Sequence, residues 1–197
     1  NNSDLAAEEA RRALKKAGKK VEDIDLILSC SNTPDKFLPA MACTIQAKIG
    51  AKDCPAFDIL AACAGWVVGL SVAEQFIRAG TYKTILVTGS EAMSRYINWK
   101  DRATCVLFGD AGGAALVGVA ESGDTSEILS THIHSDGRYG DILDLPGTGS
   151  ELPASQEVID NNLQFFRMKG AEVFKHAVVD MTACAQEALT KNHLSTD

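Results

Sequence analysis

Residues 61–66, AACAGW, contain a cysteine whose neighbours are mostly small. This segment follows an apolar run at 56–60 and precedes a stretch with helical spacing at 67–79. The pattern therefore predicts that Cys63 lies where a strand passes into a helix. Two interpretations follow: Cys63 is a nucleophile, or it is a small buried residue that fits a tight junction.

The predicted position favours nucleophilic chemistry in two respects. Unpaired N–H groups and the macrodipole at a helix N-terminus stabilise a thiolate, which is the reactive form of cysteine. The small side chains around Cys63 leave room for a thioester carbonyl, and the backbone N–H of Cys63 is a candidate donor to the developing oxyanion. Packing of a thiol at an alanine-rich junction is the commoner explanation when only the local spacing is considered.

The elements that would position Cys63 alternate between strands and helices. Their predicted bounds are a helix at 3–17 that starts near Ser3 and ends at Gly18, a strand at 24–30, a helix at 40–49, strands at 56–60 and 84–90, and the helix at 67–79. The continuous apolar run TILVTGS is typical of a parallel strand buried on both faces. This order predicts βαβ units and a layered α/β fold.

Further along the chain, strands are predicted at 103–108 and 114–120, joined by a tight turn GDAGG at 109–113. So short a connection favours antiparallel pairing. The glycines precede a strand and lack the G-x-G-x-x-G spacing, so no dinucleotide loop is expected.

A strand at 128–135, a long loop at 136–160 and a helix at 164–191 follow. Because the chain begins and stops on helices, we expect it to be part of a longer polypeptide.

The composition excludes several classes of function. The 197 residues carry a net charge of −7, which disfavours a general nucleic-acid or anionic-membrane binder. No apolar run reaches the ~20 residues that span a bilayer and no signal peptide opens the chain, so a cytoplasmic protein is predicted. His132 and His134 alternate, but no third ligand and no C-x-x-C pair accompany them, so no metal site is expected.

Five segments, in their order and spacing, resemble the β-ketoacyl-acyl carrier protein synthase III family of the thiolase superfamily. They are CPAFDILAACAGWVVGLSVAEQFIRAG, LVTGSEAMSRY, DRATCVLFGDAGGAALV, STHIHSDGRYGDILDLP and MKGAEVFKHAV. The resemblance implies a layered α/β/α/β/α fold of duplicated βαβ halves. On this basis residues 1–123 are the first half without its N-terminal strand, 124–165 are a strand and a long loop insertion, and 166–197 are the first helix of the second half.

The resemblance also implies an activity. Cys63 would take an acyl group from a primer acyl-CoA, with acetyl-CoA expected, and pass it to malonyl-acyl carrier protein with loss of carbon dioxide. The 3-oxoacyl product initiates type II fatty acid synthesis. The coenzyme A thioester is a substrate, no cofactor is expected, and a homodimer is implied. The family's decarboxylating histidine and asparagine have no match among residues 1–197.

Substrate-binding residues follow from the same resemblance. Arg102 matches the arginine that packs against the adenine end of coenzyme A, and a planar guanidinium suits both stacking and phosphate pairing. Arg95 and Lys100 either join Arg102 in a basic lip for the acidic carrier protein or are solvated surface charges. The predicted acyl and pantetheine channel, whose apolar members could equally be ordinary core, comprises Leu38 from the partner subunit, Met93, Phe108, Leu143, Met168, Gly170 and Phe174.

Two alternatives remain open. The first is a related starter synthase of the same superfamily that takes a different primer. The second is a non-catalytic piece that serves only as a dimerisation scaffold.

Overall fold

A computed structural model describes residues 1–124 and 126–196. The chain divides into two compact units, one formed by Asn1–Ala92 with Asp110–Thr131 and the other by Met93–Gly109 with His132–Asp197. The boundaries predicted at 123/124 and 165/166 concern duplicated halves and stay a prediction. Among the described residues, no helix combines the length and apolar character needed to cross a bilayer.

The first unit contains a four-stranded sheet with the strand order β2-β1-β3-β4. Strand β1 pairs in parallel with both β2 and β3, whereas β4 runs antiparallel to β3. The predicted βαβ alternation is confirmed. The observed bounds are α1 Asn2–Ala17, β1 Leu26–Cys30, α2 Met41–Ile49, β2 Ala56–Ile59, α3 Gly65–Arg78, β3 Thr84–Ala92 and β4 Asp110–Gly118.

Helices cover both faces of this sheet. In β1, Leu26 and Leu28 pack with Ala73 of α3, whereas Ile27 packs with Ala10 of α1 and Ala42 of α2. Successive side chains of a strand point to opposite faces, so a strand covered on both sides is expected to be apolar at most positions. All of β1 is accordingly buried, and its residues are apolar except for Ser29.

The start of α1 differs from the prediction. The helix begins at Asn2 with Asn1 as its N-cap, whereas the sequence favoured Ser3 as the cap. Ser3 is fully buried within the first turn, and both its backbone N–H and its hydroxyl donate to Asp35. Its hydroxyl is therefore used to hold a distant loop instead of its own helix.

The predicted strand at 103–108 and the tight turn at 109–113 are wrong. Asp101 accepts hydrogen bonds from Ala103 N at 2.9 Å and from Thr104 Oγ1 at 2.7 Å, and these local bonds fold 101–107 into successive turns. Gly112 and Gly113 lie within β4, where they pair with Ser90 and Gly89 of β3. A side chain at Gly112 would come within 3.3 Å of Leu5 Cβ, so glycine there allows α1 to cross the strand.

The second unit contains a small antiparallel ladder and a long helix. Its elements are β5 Leu143–Asp144, α4 Gln156–Asp160, β6 Arg167–Met168 and α5 Gly170–Lys191. The helix predicted from 164 thus starts at Gly170, because Arg167 and Met168 pair with Asp144 and Leu143. Strand β5, helix α4 and a 3-10 turn at Gly137–Tyr139 lie within the segment 136–160 that was predicted as a loop.

The strand predicted at 128–135 forms no ladder in the described chain. Its alternating histidines instead contact α5: His132 Nδ1 lies 3.2 Å and His134 Nε2 lies 2.7 Å from the Glu187 carboxylate. These contacts hold the pKa of Glu187 below its usual value, through hydrogen bonds from His134 and then His132. The two alternating histidines therefore share one carboxylate partner. The His176 ring separately contacts Tyr139, with ring centroids 4.1 Å apart and an angle of 42° between the ring planes.

Helix α3 approaches the sheet closely through glycine. A Cβ at Gly69 would overlap Cys30 Sγ and lie 3.1 Å from Val87 Cγ1, whereas a Cβ at Gly65 would meet Cys30 Cβ at an ordinary 3.5 Å. Both glycines are buried. The separation between α3 and the sheet is therefore set at Gly69.

We predict that Gly69→Ala destabilises the protein, because overpacking of about 1–3 kcal/mol exceeds the ~0.5–1 kcal/mol that alanine gains in a helix interior. Gly65→Ala, the matched control, should be close to neutral. Adding Cys30→Ala to Gly69→Ala should restore stability by removing the overlapping sulfur. Urea unfolding of the four proteins measures these effects, and a Gly69→Ala variant as stable as the Gly65→Ala control contradicts the packing argument.

Candidate functional site

The carboxyl ends of three parallel strands form one edge of the first unit. Cys30, the last residue of β1, is in register with Ile59 at the end of β2 and with Gly89 in β3. The chain leaves this edge in the segments 31–40 and 60–64, whereas β3 continues beyond Gly89 to Ala92. In open α/β sheets this edge is where ligands bind, because loops from several strands converge there.

Cys63 lies in one of these segments, as predicted. It is the middle residue of a 3-10 turn, Ala62–Ala64, that leads directly into α3 at Gly65. Its thiol is exposed. The turn brings Cys63 to the N-terminal end of a helix of 14 residues, where unpaired N–H groups favour negative charge.

The turn before Cys63 has a strained backbone. Ala62 adopts a left-handed conformation with φ of 46°, which a residue with a Cβ seldom occupies. Ala64 N donates to Ala61 O at 3.1 Å, which closes the turn around it. Such strain persists only where the surrounding structure enforces it, and it is commonest at functional sites. The abrupt change of direction leaves Cys63 projecting from the sheet edge.

Trp66 anchors the start of α3. Its indole packs over Gly89, where an added Cβ would come within 3.0 Å of Trp66 Cε3. The ring also joins the apolar cluster that contains Leu28 and Val87. The tryptophan of AACAGW is therefore a packing residue that fixes the helix start next to Cys63.

A second cysteine near the edge has a contrasting environment. Cys30 is buried beneath α3, and burial, with a smaller contribution from Asp58, raises the pKa of its thiol to about 11. Buried thiols of this kind are inert because the thiolate is the reactive form. Cys63 thus combines exposure with a helix N-terminus, and Cys30 has neither.

Leu38 lies in the segment that follows β1. Leu38 and Phe37 are each 83% exposed. The end of this segment is held by Asp58 of β2, whose carboxylate accepts hydrogen bonds from Met41 N and Ala42 N, each at 2.7 Å. Asp58 was not singled out from the sequence, although a carboxylate that receives the first N–H groups of a helix is a familiar capping arrangement.

The second unit brings together several predicted channel residues. Leu143 and Met168 are directly paired across the β5–β6 ladder, and Gly170 starts α5 immediately afterwards. A Cβ at Gly170 would lie 3.4 Å from Met168 Cε, so glycine leaves the space above this methionine open. These three predicted residues therefore share one location.

Phe108 belongs to an aromatic cluster that sequence reasoning did not identify. Its ring stacks on Phe166 with centroids 5.5 Å apart, and Phe166 also meets Tyr96 edge to face at 6.4 Å. Phe166 N donates to Tyr96 O at 2.9 Å. The adjacent phenylalanines at 165 and 166, just before β6, were the available signal.

The other predicted residues of the second unit are more dispersed. Met93 is partly buried in the 3-10 turn after β3. Phe174 lies on α5 and is 72% exposed. Arg102 is exposed in the turns that follow Asp101.

Comparison with known proteins gives one consistent family. Residues 57–137 match the family described as 3-oxoacyl-[acyl-carrier-protein (ACP)] synthase III. The β-ketoacyl-[acyl-carrier-protein] synthase III of Caldanaerobacter subterraneus subsp. tengcongensis is 46% identical over 195 residues, which make up 99% of this chain and 58% of that protein. The chain therefore spans less than two thirds of this relative's length.

Solved structures agree with this comparison. The crystal structure of 3-oxoacyl-[acyl-carrier-protein] synthase III from Aquifex aeolicus VF5 matches with a TM-score of 0.87 and 37% identity, covering 99% of this chain and 58% of that one. The priming β-ketosynthase from the R1128 polyketide biosynthetic pathway matches with a TM-score of 0.80 and 29% identity, covering 96% and 55%. The α/β architecture, the AACAGW turn and these matches along almost all of its residues make the chain similar to the 3-oxoacyl-[acyl-carrier-protein] synthase III proteins, and its fold is the thiolase-like fold of those structures.

Proposed function

We propose that the protein to which this chain belongs condenses a primer acyl-CoA, with acetyl-CoA as the expected primer, with malonyl-acyl carrier protein and so initiates type II fatty acid synthesis. The observation that carries this proposal is the exposed Cys63 in a strained turn at the N-terminus of α3. This arrangement suits a thiolate that must reach a thioester carbonyl.

The proposed reaction has two steps. The Cys63 thiolate attacks the carbonyl carbon of the acyl-CoA, a new carbon–sulfur bond forms, and coenzyme A leaves as its thiolate. The malonyl group then loses carbon dioxide, and the electron pair released from that carbon–carbon bond attacks the acyl–Cys63 carbonyl. A 3-oxoacyl-acyl carrier protein forms and the Cys63 thiolate is regenerated. Because the enzyme is acylated between the two substrates, the kinetics are ping-pong.

The remaining predicted residues have binding roles in this proposal. Arg102 receives the adenine end of coenzyme A, while the apolar residues of the second unit and Leu38 contact the acyl and pantetheine groups. The acyl-CoA and the malonyl-acyl carrier protein are partners, the assembly is a cytoplasmic homodimer, and the reaction uses no cofactor beyond the coenzyme A thioester.

One alternative function is favoured by a specific observation. The match to a priming β-ketosynthase of a polyketide pathway supports a starter synthase that uses the same Cys63 with a different primer. Transfer of labelled acyl groups of increasing length separates the two, since preference for acetyl-CoA supports fatty acid initiation and preference for a longer or branched primer supports the alternative.

We expect that incubation with acetyl-CoA adds one acetyl group to Cys63, because an exposed cysteine at a helix N-terminus is placed for thioester exchange. Intact mass and peptide mapping measure the adduct. Cys63→Ser should abolish it, whereas Cys43→Ser, a control at a half-buried helical cysteine, should retain it. Unimpaired acyl transfer by the Cys63→Ser variant would show that another residue is the nucleophile.

The two cysteines of the sheet edge should differ in reactivity. In the folded protein at pH 8, iodoacetamide should modify Cys63 at least about a hundredfold faster than Cys30, because the pKa of the Cys30 thiol is raised and access to it is blocked. Quantitative peptide mapping follows both sites, and labelling in urea should remove the difference. Equal rates in the folded protein would contradict the assignment of roles.

Arg102→Ala should raise the KM for acetyl-CoA by roughly tenfold while leaving the maximal rate of Cys63 acylation nearly unchanged, because the arginine contacts a part of the substrate remote from the reacting carbon. Arg102→Lys should be intermediate. Arg12→Ala on α1 removes an exposed arginine that pairs with Glu8 and Glu9, and serves as the charge-matched control. Equal KM values for the Arg102→Ala and Arg12→Ala variants would exclude Arg102 from the coenzyme A site.

A further inference from the structure

A carboxylate at the sheet edge receives an unusually complete set of hydrogen bonds. Glu91, near the end of β3, accepts from both the backbone N and the side-chain Nδ2 of Asn32 through Oε1, each at 2.8 Å. Its Oε2 accepts from the hydroxyls of Thr33 and Ser31, the latter at 3.3 Å. All four acceptor positions of the carboxylate are therefore directed at residues 31–33, the segment that follows β1.

The direction of these hydrogen bonds is fixed by the neighbouring N–H groups. Ser31 Oγ accepts from Asn2 Nδ2 at 2.9 Å and from Thr33 N at 3.1 Å. Thr33 Oγ1 accepts from Ala92 N at 2.8 Å and from Asn2 Nδ2 at 3.3 Å. Each hydroxyl oxygen thus accepts a backbone N–H, from Thr33 at Ser31 and from Ala92 at Thr33, and directs its own proton to the Glu91 carboxylate. A group that only accepts fits both hydroxyls.

This requirement distinguishes a carboxylate from an amide. Glutamine at position 91 has the same shape, but its NH2 group would face either the hydroxyl protons or the two N–H groups of Asn32. Ser31 and Thr33 are 8% and 3% exposed, so water has little access to replace a lost partner. A buried donor that has lost its hydrogen-bond partner destabilises the segment to which it belongs, here residues 31–33.

The same segment is held at two further points. Asp35 accepts from the backbone N and the hydroxyl of Ser3 in α1, and Lys48 Nζ lies 2.6 Å from Ser3 Oγ. At the far end, Asp58 accepts the first N–H groups of α2. The Leu38 segment, residues 34–40, contains Asp35 and ends just before the N–H groups that Asp58 accepts, and its apolar tip is exposed. These anchors restrict the positions that the tip can take.

We propose that Glu91 is a positioning residue that holds the Leu38 segment and that, because the proposed function puts Leu38 at the acyl channel, the preference for primer length depends on Glu91. The part of this inference that concerns primer choice rests on the proposed function. The part that concerns how Glu91 holds the segment does not. Glu91 acts through Asn32, Thr33 and Ser31 and does not touch the substrate.

The test compares Glu91→Gln with Asp25→Asn. Asp25 Oδ2 accepts from Lys83 N at 2.8 Å and Thr84 N at 3.0 Å, at the opposite end of the same strands. Each substitution replaces a carboxylate, which accepts hydrogen bonds from the backbone of another segment, by an amide of the same shape. The Asp25→Asn control therefore reports any general loss of stability, and circular dichroism and urea unfolding verify that both variants fold.

Two readouts are combined. Limited trypsin digestion reports the Leu38 segment through cleavage after Lys36, which lies within it, and we expect Glu91→Gln to accelerate this cleavage at least about tenfold relative to Asp25→Asn. The ratio of kcat/KM for hexanoyl-CoA to that for acetyl-CoA reports the primer end of the site. Glu91→Gln should change this ratio about fivefold or more, and Asp25→Asn should leave it at the wild-type value.

Each outcome is informative. Faster cleavage with an altered primer ratio in the Glu91→Gln variant alone supports the proposal. Equal cleavage in the two variants overturns it, and faster cleavage with an unchanged primer ratio overturns the link to primer length. If the wild-type protein forms no acyl–Cys63 adduct, the proposed function fails, while the digestion still decides whether Glu91 holds the segment.

Discussion

The close packing of α3 against the parallel sheet is the constraint on which the site depends. Gly69 lets the helix rest on Cys30 and Val87, and Trp66 covers Gly89 at the helix start. Because these contacts fix the first turns of α3, the short connection from β2 must turn abruptly, and Ala62 takes a left-handed conformation as a result. The exposed Cys63 thiol is therefore positioned by contacts made beneath it.

The edge at which Cys63 lies is otherwise organised by carboxylates that accept hydrogen bonds from backbone and hydroxyl groups. Glu91 and Asp58 hold the start and the end of the segment after β1, and Asp35 ties its middle to α1. Such acceptor-only groups at the strand ends order irregular chain that has no ladder of its own. An exposed thiol and a partly apolar loop held by hydrogen bonds thus share one edge of one sheet.

The buried parallel strands β1 and β3 were predictable because burial on both faces favours apolar residues at most positions of a strand. The segment at 103–108 has a similar run, yet the hydrogen bonds of Asp101 fold it into turns, and the close contact that favours glycine at position 112 comes from Leu5, in a helix far away in the chain. The place of Cys63 followed from its local pattern together with family resemblance. The role of Glu91 did not, because its partners are 58 to 60 positions earlier and only the folded sheet edge brings them together.

The central claim is that the contacts beneath α3 present Cys63 as the acyl acceptor. A crystal structure of the protein after brief exposure to acetyl-CoA tests it most directly. We expect an acetyl group bonded to Cys63 Sγ, with its carbonyl oxygen directed at the backbone N–H groups at the start of α3, with Cys30 unmodified and α3 unmoved. An acetyl group on any other residue, or bound coenzyme A beside an unmodified Cys63 in an active preparation, would contradict the account.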